Sequence, residues 1–210
     1  PRDNSQSRLD AIRAAGVIRV GYLKDHLPYS YFNAEGELVG LDIDMAHALA
    51  EELRCQLEFV PFEYRDFADS LDANHFDVAM SGLEGTIKRA AALPNMEPYM
   101  EITRALVVPD RERQRFRSLK QAAKLHGAGK PLRLAAIRGG IASEQGDTSD
   151  TLGSGWGALV TKGVSENLEY VELMHETEFF ESRPFVADAL VTSAEAGAAW
   201  TLKYPHFTVV

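Results

Sequence analysis

The chain predicts an α/β fold, and three observations lead there. Short β-rich runs alternate with helix-period segments, the joins between them are brief, and apolar residues are plentiful enough to fill a real core: 45% of the 210 residues are hydrophobic and 25% charged. No internal repeat or low-complexity stretch interrupts the pattern. In order, Leu9 and Ile12 share a helix face that Gly16 terminates, and Val17 to Tyr22 follows as a strand. Asn33 to Glu37 is a turn, because Asn and Gly tolerate positive φ. Leu41 to Leu53 is the clearest helix, with Met45, Leu49 and Leu53 recurring every four residues and Ala46 and Ala50 widening the stripe. Leu57 to Val60 is a strand ended by Pro61, Asp66 to Ala73 a helix, and Phe76 to Met80 a strand. Thr86 caps a short helix carrying Arg89, and Thr103 to Pro109 is an apolar β run placed to cross between lobes. Ser118 begins a helix, Leu132 to Ile137 and Ala189 to Thr192 are strands, Ser193 to Lys203 is a helix, and Phe207 to Val210 is a final strand.

Charge and composition narrow the function. Lys and Arg number 22 against 31 Asp and Glu, a net charge of −9, which opposes nucleic-acid binding because that needs basic surface. Apolar runs are only a few residues long, so no transmembrane span is expected within the chain. A single cysteine, Cys55, excludes an internal disulfide and a multi-cysteine zinc site. Pro1-Arg2-Asp3-Asn4 is polar, so a secretory signal is expected to have been removed or to lie elsewhere.

The chemistry-bearing patterns mostly fail. The six histidines include no i, i+3 or i, i+4 pair, so no metal is expected, and His47 reads as a surface position. Asp42 and Asp44 resemble the start of a calcium loop but lack its glycine and distal glutamate. Ser81-Gly82-Leu83 lacks nucleophile-elbow spacing, and the glycine-rich loops Gly127–Lys130 and Gly153–Gly157 fit no phosphate-binding pattern. Arg111, Arg113, Arg115 and Arg117 read as a solvated segment in preference to an anion contact. What remains is Ser81 to Thr86, leaving a strand and entering a helix, where backbone N–H groups suit an anion. Arg89, three residues on, is either a carboxylate clamp or an ordinary surface arginine.

Several blocks, in order, resemble the family 3 extracellular solute-binding proteins, the amino-acid receptors of ABC importers. They are Leu9-x-x-Ile12-x-x-x-Gly16-x-Ile18-Arg19-Val20-Gly21, Pro28-Tyr29, and Glu35-Gly36-Glu37-Leu38-Val39-Gly40-Leu41-Asp42-Ile43-Asp44-Met45-Ala46. Leu71-x-x-x-x-Phe76-Asp77-Val78, Thr86-x-x-Arg89, Pro98-Tyr99 and Asp188-Ala189-Leu190-Val191 complete the set. The first hundred residues match well and the second half loosely. The resemblance implies a two-lobed, type II periplasmic-binding-protein architecture of open sheets with flanking helices, closing on ligand about a hinge. Lobe one is placed at 1–101 and lobe two at 102–210, with the crossing near 101–109. The return segment that completes lobe one in such proteins is expected to be missing.

Carried over by position, the resemblance makes Arg89 the α-carboxylate clamp and places Thr86 with it. It makes Tyr64 and His26 aromatic neighbours of the ligand, and the Gly82 carbonyl a contact for its amino group. Gly139 and Gly140 form the closing loop of lobe two. Two departures stand out: Glu84 replaces a small hydroxyl residue, and Ser193 stands where an aspartate normally grips the ammonium. The implied function is capture of a small carboxylate-bearing solute, an amino acid foremost, with Glu84 taking the ammonium and no catalysis. The alternatives are a receptor domain for an amine-free organic acid serving a symporter or sensor, and a cyclohexadienyl-dehydratase-like enzyme. The residues Ala194 to Val210 resemble solute-binding domains appended to cation–dicarboxylate symporters. No cofactor or nucleic acid is expected; the partners implied are the solute and a membrane transporter or sensor, with the chain a periplasmic or extracellular monomer.

Overall fold

A computed structural model describes residues 7–83, 97–117, 122, 130–137 and 168–210. The chain divides into two units, Pro1–Pro94 and Asn95–Val210, each with its own sheet. The helix expected from Thr86 through Arg89, most of the one after Ser118, and the glycine-rich loop Gly153–Gly157 lie outside the described residues.

In the first unit, helix α1 (Arg8–Ala15) is capped by the Ser7 hydroxyl and ends at Gly16 in the left-handed conformation. Strand β1 (Val17–Leu23) follows, then the small hairpin β2 (Tyr31–Phe32) and β3 (Leu38–Val39). Asn33 builds the hairpin turn by accepting the N–H groups of Glu35 and Glu37. Helix α2 (Leu41–Leu53), strand β4 (Gln56–Phe62), a 3-10 turn at Tyr64–Asp66, helix α3 (Phe67–Asp72) and strand β5 (Val78–Ala79) complete the unit. The sheet order is β4-β1-β5, all parallel.

Ile12, Ile18, Val20, Ala46 and Ala50 pack on one side of this sheet, so α1 and α2 cover that face. Leu23, Phe62 and Phe76 pack on the other with Phe67 and Leu71 of α3. The buried edge of α2 is Asp42, Ile43, Ala46 and Ala50; Met45, Leu49 and Leu53 flank it half-buried. The four-residue repeat therefore marked the margin of the stripe instead of its centre. Pro61 does not end β4: it pairs with Tyr22 inside the strand, tolerated because β4 is an edge and the missing N–H costs no ladder bond.

Asp77 joins β5 to β1. Its backbone N–H donates to Arg19 O, and its carboxylate accepts Arg19 N–H, each at 2.8 Å. The Arg19 guanidinium adds Nη2 to Oδ1 at 2.9 Å and Nε to Oδ2 at 3.2 Å, and Arg8 Nη2 reaches Oδ1 at 3.1 Å. Burial pushes the Asp77 carboxyl up, but the Arg19 hydrogen bonds and the charges of Arg19 and Arg8 outweigh it, leaving the group below the ordinary aspartate range.

The second unit repeats this arrangement. Strands β6 (Arg104–Pro109), β7 (Leu132–Ile137), β8 (Leu168–Leu173), β9 (Ala189–Ser193) and β10 (Phe207–Val209) form a sheet in the order β10-β6-β9-β7-β8. Within it, β8-β7-β9 is a parallel trio with the connectivity of β4-β1-β5. Asp188 ties β9 to β7 as Asp77 does in the first unit: Asp188 N–H to Arg133 O and Arg133 N–H to the Asp188 carboxylate, both 2.8 Å. Helices α4 (Thr177–Glu181) and α5 (Ala194–Lys203) bring Phe179, Phe180 and Trp200 together with Phe207 in one buried aromatic cluster. The buried Glu176 carboxylate in this layer accepts from Trp200 Nε1 at 2.5 Å and Thr192 Oγ1 at 2.8 Å.

The Asp77→Asn variant tests the joint. A carboxylate held below its unfolded pKa stabilises the fold above the ordinary aspartate range, and that contribution is lost as pH falls through the folded value. Denaturant titrations should show a loss of about 1–3 kcal/mol at pH 7, and a smaller drop between pH 7 and pH 3 than in the wild type.

Candidate functional site

In an open parallel sheet, ligands bind beyond the carboxyl ends of strands where the strand order reverses. In the first unit that point lies between β1 and β5, past Leu23 and Ala79. The chain fills it with polar groups whose hydrogen bonds are almost fully determined. Ser30 Oγ donates to Leu23 O at 2.7 Å, which uses its one proton. In the short contact between the two serine hydroxyls, Ser81 is therefore the donor. Ser81 Oγ in turn accepts Leu23 N–H at 3.0 Å. The result is a closed ring running from Leu23 N–H through both hydroxyls and back to Leu23 O.

His26 joins this ring from one side. Its Nδ1 lies 2.6 Å from Ser81 O, and a carbonyl only accepts, so Nδ1 carries the proton. The imidazole sits 5.3 Å from the Tyr29 ring and meets the Tyr64 ring edge-on at 6.2 Å. Backbone bonds from His26 N to Ser30 O and from Ser30 N to His26 O hold the loop. From the other side, the fully buried Asp42 carboxylate accepts Gly82 N–H at 2.5 Å. Gly82 adopts φ 61°, and a Cβ there would run into the Tyr29 ring, so this turn requires glycine twice over.

The corresponding point of the second unit lies between β7 and β9. Ser193 ends β9 and caps α5, its Oγ accepting Ala196 N–H at 3.0 Å. Its hydroxyl is thus engaged in the helix start.

The model of the bacterial extracellular solute-binding proteins, family 3, matches residues 18–181. The chain belongs to that family. Among curated relatives, this solute-binding protein is 38% identical over 120 residues to the cyclohexadienyl dehydratase of Pseudomonas aeruginosa, an alignment covering 55% of this chain and 43% of the relative. It is 27% identical over 107 residues to ABC transporter arginine-binding protein 1 of Escherichia coli K12, covering 51% of this chain and 44% of the relative. Each alignment thus spans less than half of the relative's length. Among solved structures, an ancestral amino acid-binding protein described as a precursor of cyclohexadienyl dehydratase superposes with a TM-score of 0.78 at 27% identity, covering 97% of this chain and 81% of its own. These likenesses make the fold that of the type II periplasmic binding proteins.

Of the positions singled out in the sequence of this solute-binding protein, the structure gathers His26, Tyr64 and Gly82 at one end of the first sheet. Ser193 lies in the second unit, and Glu84, Thr86, Arg89, Gly139 and Gly140 lie outside the described residues. Of the backbone N–H groups expected to face a bound anion, that of Gly82 is taken by the protein's own Asp42 carboxylate. Ser30 and Asp42 went unnoticed as site elements and Ser81 was noticed only for its backbone, since only folding brings residues 51 and 40 positions apart into contact. Among the described residues no cluster of His, Cys, Asp or Glu is placed to hold a metal ion.

Ser81→Ala opens the ring and leaves the Leu23 N–H and the Ser30 hydroxyl short of a partner. Denaturant titration should show a loss of about 1–3 kcal/mol, with residual amide exchange fastest at Leu23.

Proposed function

We propose that this protein reversibly captures a small amine-bearing carboxylate, an amino acid, outside the cytoplasm and presents it to a membrane transporter. The observation that carries this reading is the convergence of His26, Tyr64 and the Gly82 turn at the point where an open α/β sheet receives ligand, within a chain of the solute-binding family. Amino-acid-binding relatives support the ligand class: one is named for arginine, another for histidine. In this reading Arg89 clamps the α-carboxylate with Thr86 beside it, Tyr64 flanks the side chain, and Glu84 meets the ammonium. Closure of the second lobe, through Gly139, Gly140 and the region of Ser193, would discriminate bound from free protein only if the ligand favours the closed state. The protein works as a monomer and needs no cofactor.

A second reading is favoured by one observation: the 38% identity to a cyclohexadienyl dehydratase exceeds that to the arginine-binding protein. There the same pocket would eliminate water and carbon dioxide from a cyclohexadienyl acid, with Glu84 as general acid. The internally bonded serines and the committed Nδ1 of His26 favour binding over chemistry at the described part of the site.

A thermal-shift comparison of wild type and Arg89→Ala separates these readings. The ligands are L-arginine, L-histidine, L-cysteine, dicarboxylates and prephenate. A ligand at about a hundred times its Kd adds roughly 2.7 kcal/mol, or on the order of 5–10 °C for this size. The proposal expects a rise with an amino acid that Arg89→Ala abolishes. A rise with amine-free acids alone points to an organic-acid receptor, and consumption of prephenate points to the enzyme.

A further inference from the structure

Among the described residues, Asp42 is the one fully buried carboxylate at the site that the proposed function leaves without a role. It sits in the first turn of α2, whose opening N–H groups are already occupied: Leu41 N–H donates to Pro28 O and Asp42 N–H to Tyr29 O, both at 3.0 Å. Its carboxylate reaches across the fold to Gly82 N–H at 2.5 Å. The carbonyl of that same peptide, Ser81 O, accepts the His26 Nδ1 proton at 2.6 Å. One peptide unit is thus gripped at both ends, by an anion on its N–H and by an imidazole on its C=O.

This arrangement has an electrical direction. A carboxylate on the N–H polarises the peptide and makes its carbonyl a stronger acceptor, since hydrogen bonds in series reinforce one another in a low-dielectric interior. The stronger acceptor holds the imidazole proton on Nδ1, and in a neutral ring that leaves Nε2 as a bare lone pair. Among the described residues nothing donates to Nε2. The ring is half-buried, and among the described residues its ring contacts are with Tyr29 and Tyr64.

We propose that Asp42 is a positioning residue that acts through the Ser81–Gly82 peptide to fix His26 as a hydrogen-bond acceptor. The ligand class this selects carries an N–H or O–H group toward His26, which deepens the proposed function and rests on its placing of ligand beside His26. Asp42 itself never meets the ligand. The pair Asp42 and His26 then plays the part that a carboxylate–imidazole contact plays elsewhere, with a peptide bond inserted between them.

Nitrogen-15 NMR of the imidazole, recorded near pH 8.5 above the ordinary imidazole range, reads the tautomer directly. The wild type should show the Nδ1–H form. Asp42→Asn keeps an acceptor for Gly82 N–H but loses the charge, and should shift His26 toward a mixture of the two tautomers. Asp10→Asn, the same loss of charge at an exposed position of α1, should leave His26 unchanged. Calorimetry with L-arginine, L-histidine and L-cysteine supplies the second arm. For whichever binds, Asp42→Asn and His26→Phe should each weaken affinity by roughly tenfold, while Asp10→Asn should not. An unchanged tautomer in folded Asp42→Asn overturns the proposal, as does full affinity in His26→Phe, which would leave the ring a stacking surface only. If none of the three amino acids binds wild type, the binding reading fails while the tautomer arm still decides the role of Asp42. If Asp42→Asn does not fold, Asp42→Glu takes its place; it keeps the charge but displaces it, and an unchanged tautomer there together with full affinity in His26→Phe overturns the linkage.

Discussion

The arrangement at the first unit's ligand end depends on the joint between Asp77 and Arg19. Asp77 N–H to Arg19 O and Arg19 N–H to the Asp77 carboxylate, each at 2.8 Å, and a two-pronged ion pair set where β5 begins against β1. From that register the pairs Val20 with Val78 and Gly21 with Ala79 follow, and Met80 N–H meets Gly21 O. Gly21 has to be glycine there, because a Cβ would come within 2.8 Å of the Phe76 ring. Two residues past β5, Ser81 arrives opposite Leu23 and closes the hydroxyl ring, and Gly82 arrives opposite Asp42. A one-residue slip would place neither.

The second unit uses the same joint between Asp188 and Arg133, an aspartate just before the third strand of each parallel trio. A carboxylate at that position accepts the N–H of the neighbouring strand while its own N–H reaches back, so two parallel strands are pinned before their ladder begins. The separations are close, 58 residues in one unit and 55 in the other. No repeat was legible in the sequence because what recurs is a pairing of two residues, and the segments between them share little composition. Parallel connectivity and one Arg–Asp hydrogen-bonding device are shared by the units, while the segments between the paired residues are not alike.

Much of the fold was legible because local chemistry decided it. Gly16 as a helix stop, the Asn33 turn, the Leu41–Leu53 helix and the Ser193 cap each follow from one or two residues. The strand Leu168–Leu173 and the helix Thr177–Glu181 were missed, since both are short and the strand carries Glu169 and Glu172 three apart, which breaks a two-residue alternation. Pro61 misled because edge position, which excuses a missing N–H, is a tertiary fact. At the site, the resemblance supplied His26, Tyr64 and Gly82, whereas Asp42 read only as a failed calcium loop. Its role depends on a contact 40 residues away that no spacing rule reports.

Polar groups at this end of the first sheet are mostly spent on one another, leaving acceptors in place of nucleophiles. Under the proposed function, such a site recognises a donor group and releases it unchanged. The most direct test is proton NMR of a mixture of L-arginine, L-histidine, L-cysteine and prephenate incubated with the protein. The account predicts that one amino acid's signals broaden while every integral, that of prephenate included, stays constant. Loss of the prephenate diene signals with aromatic signals growing in would contradict it and make the protein an enzyme.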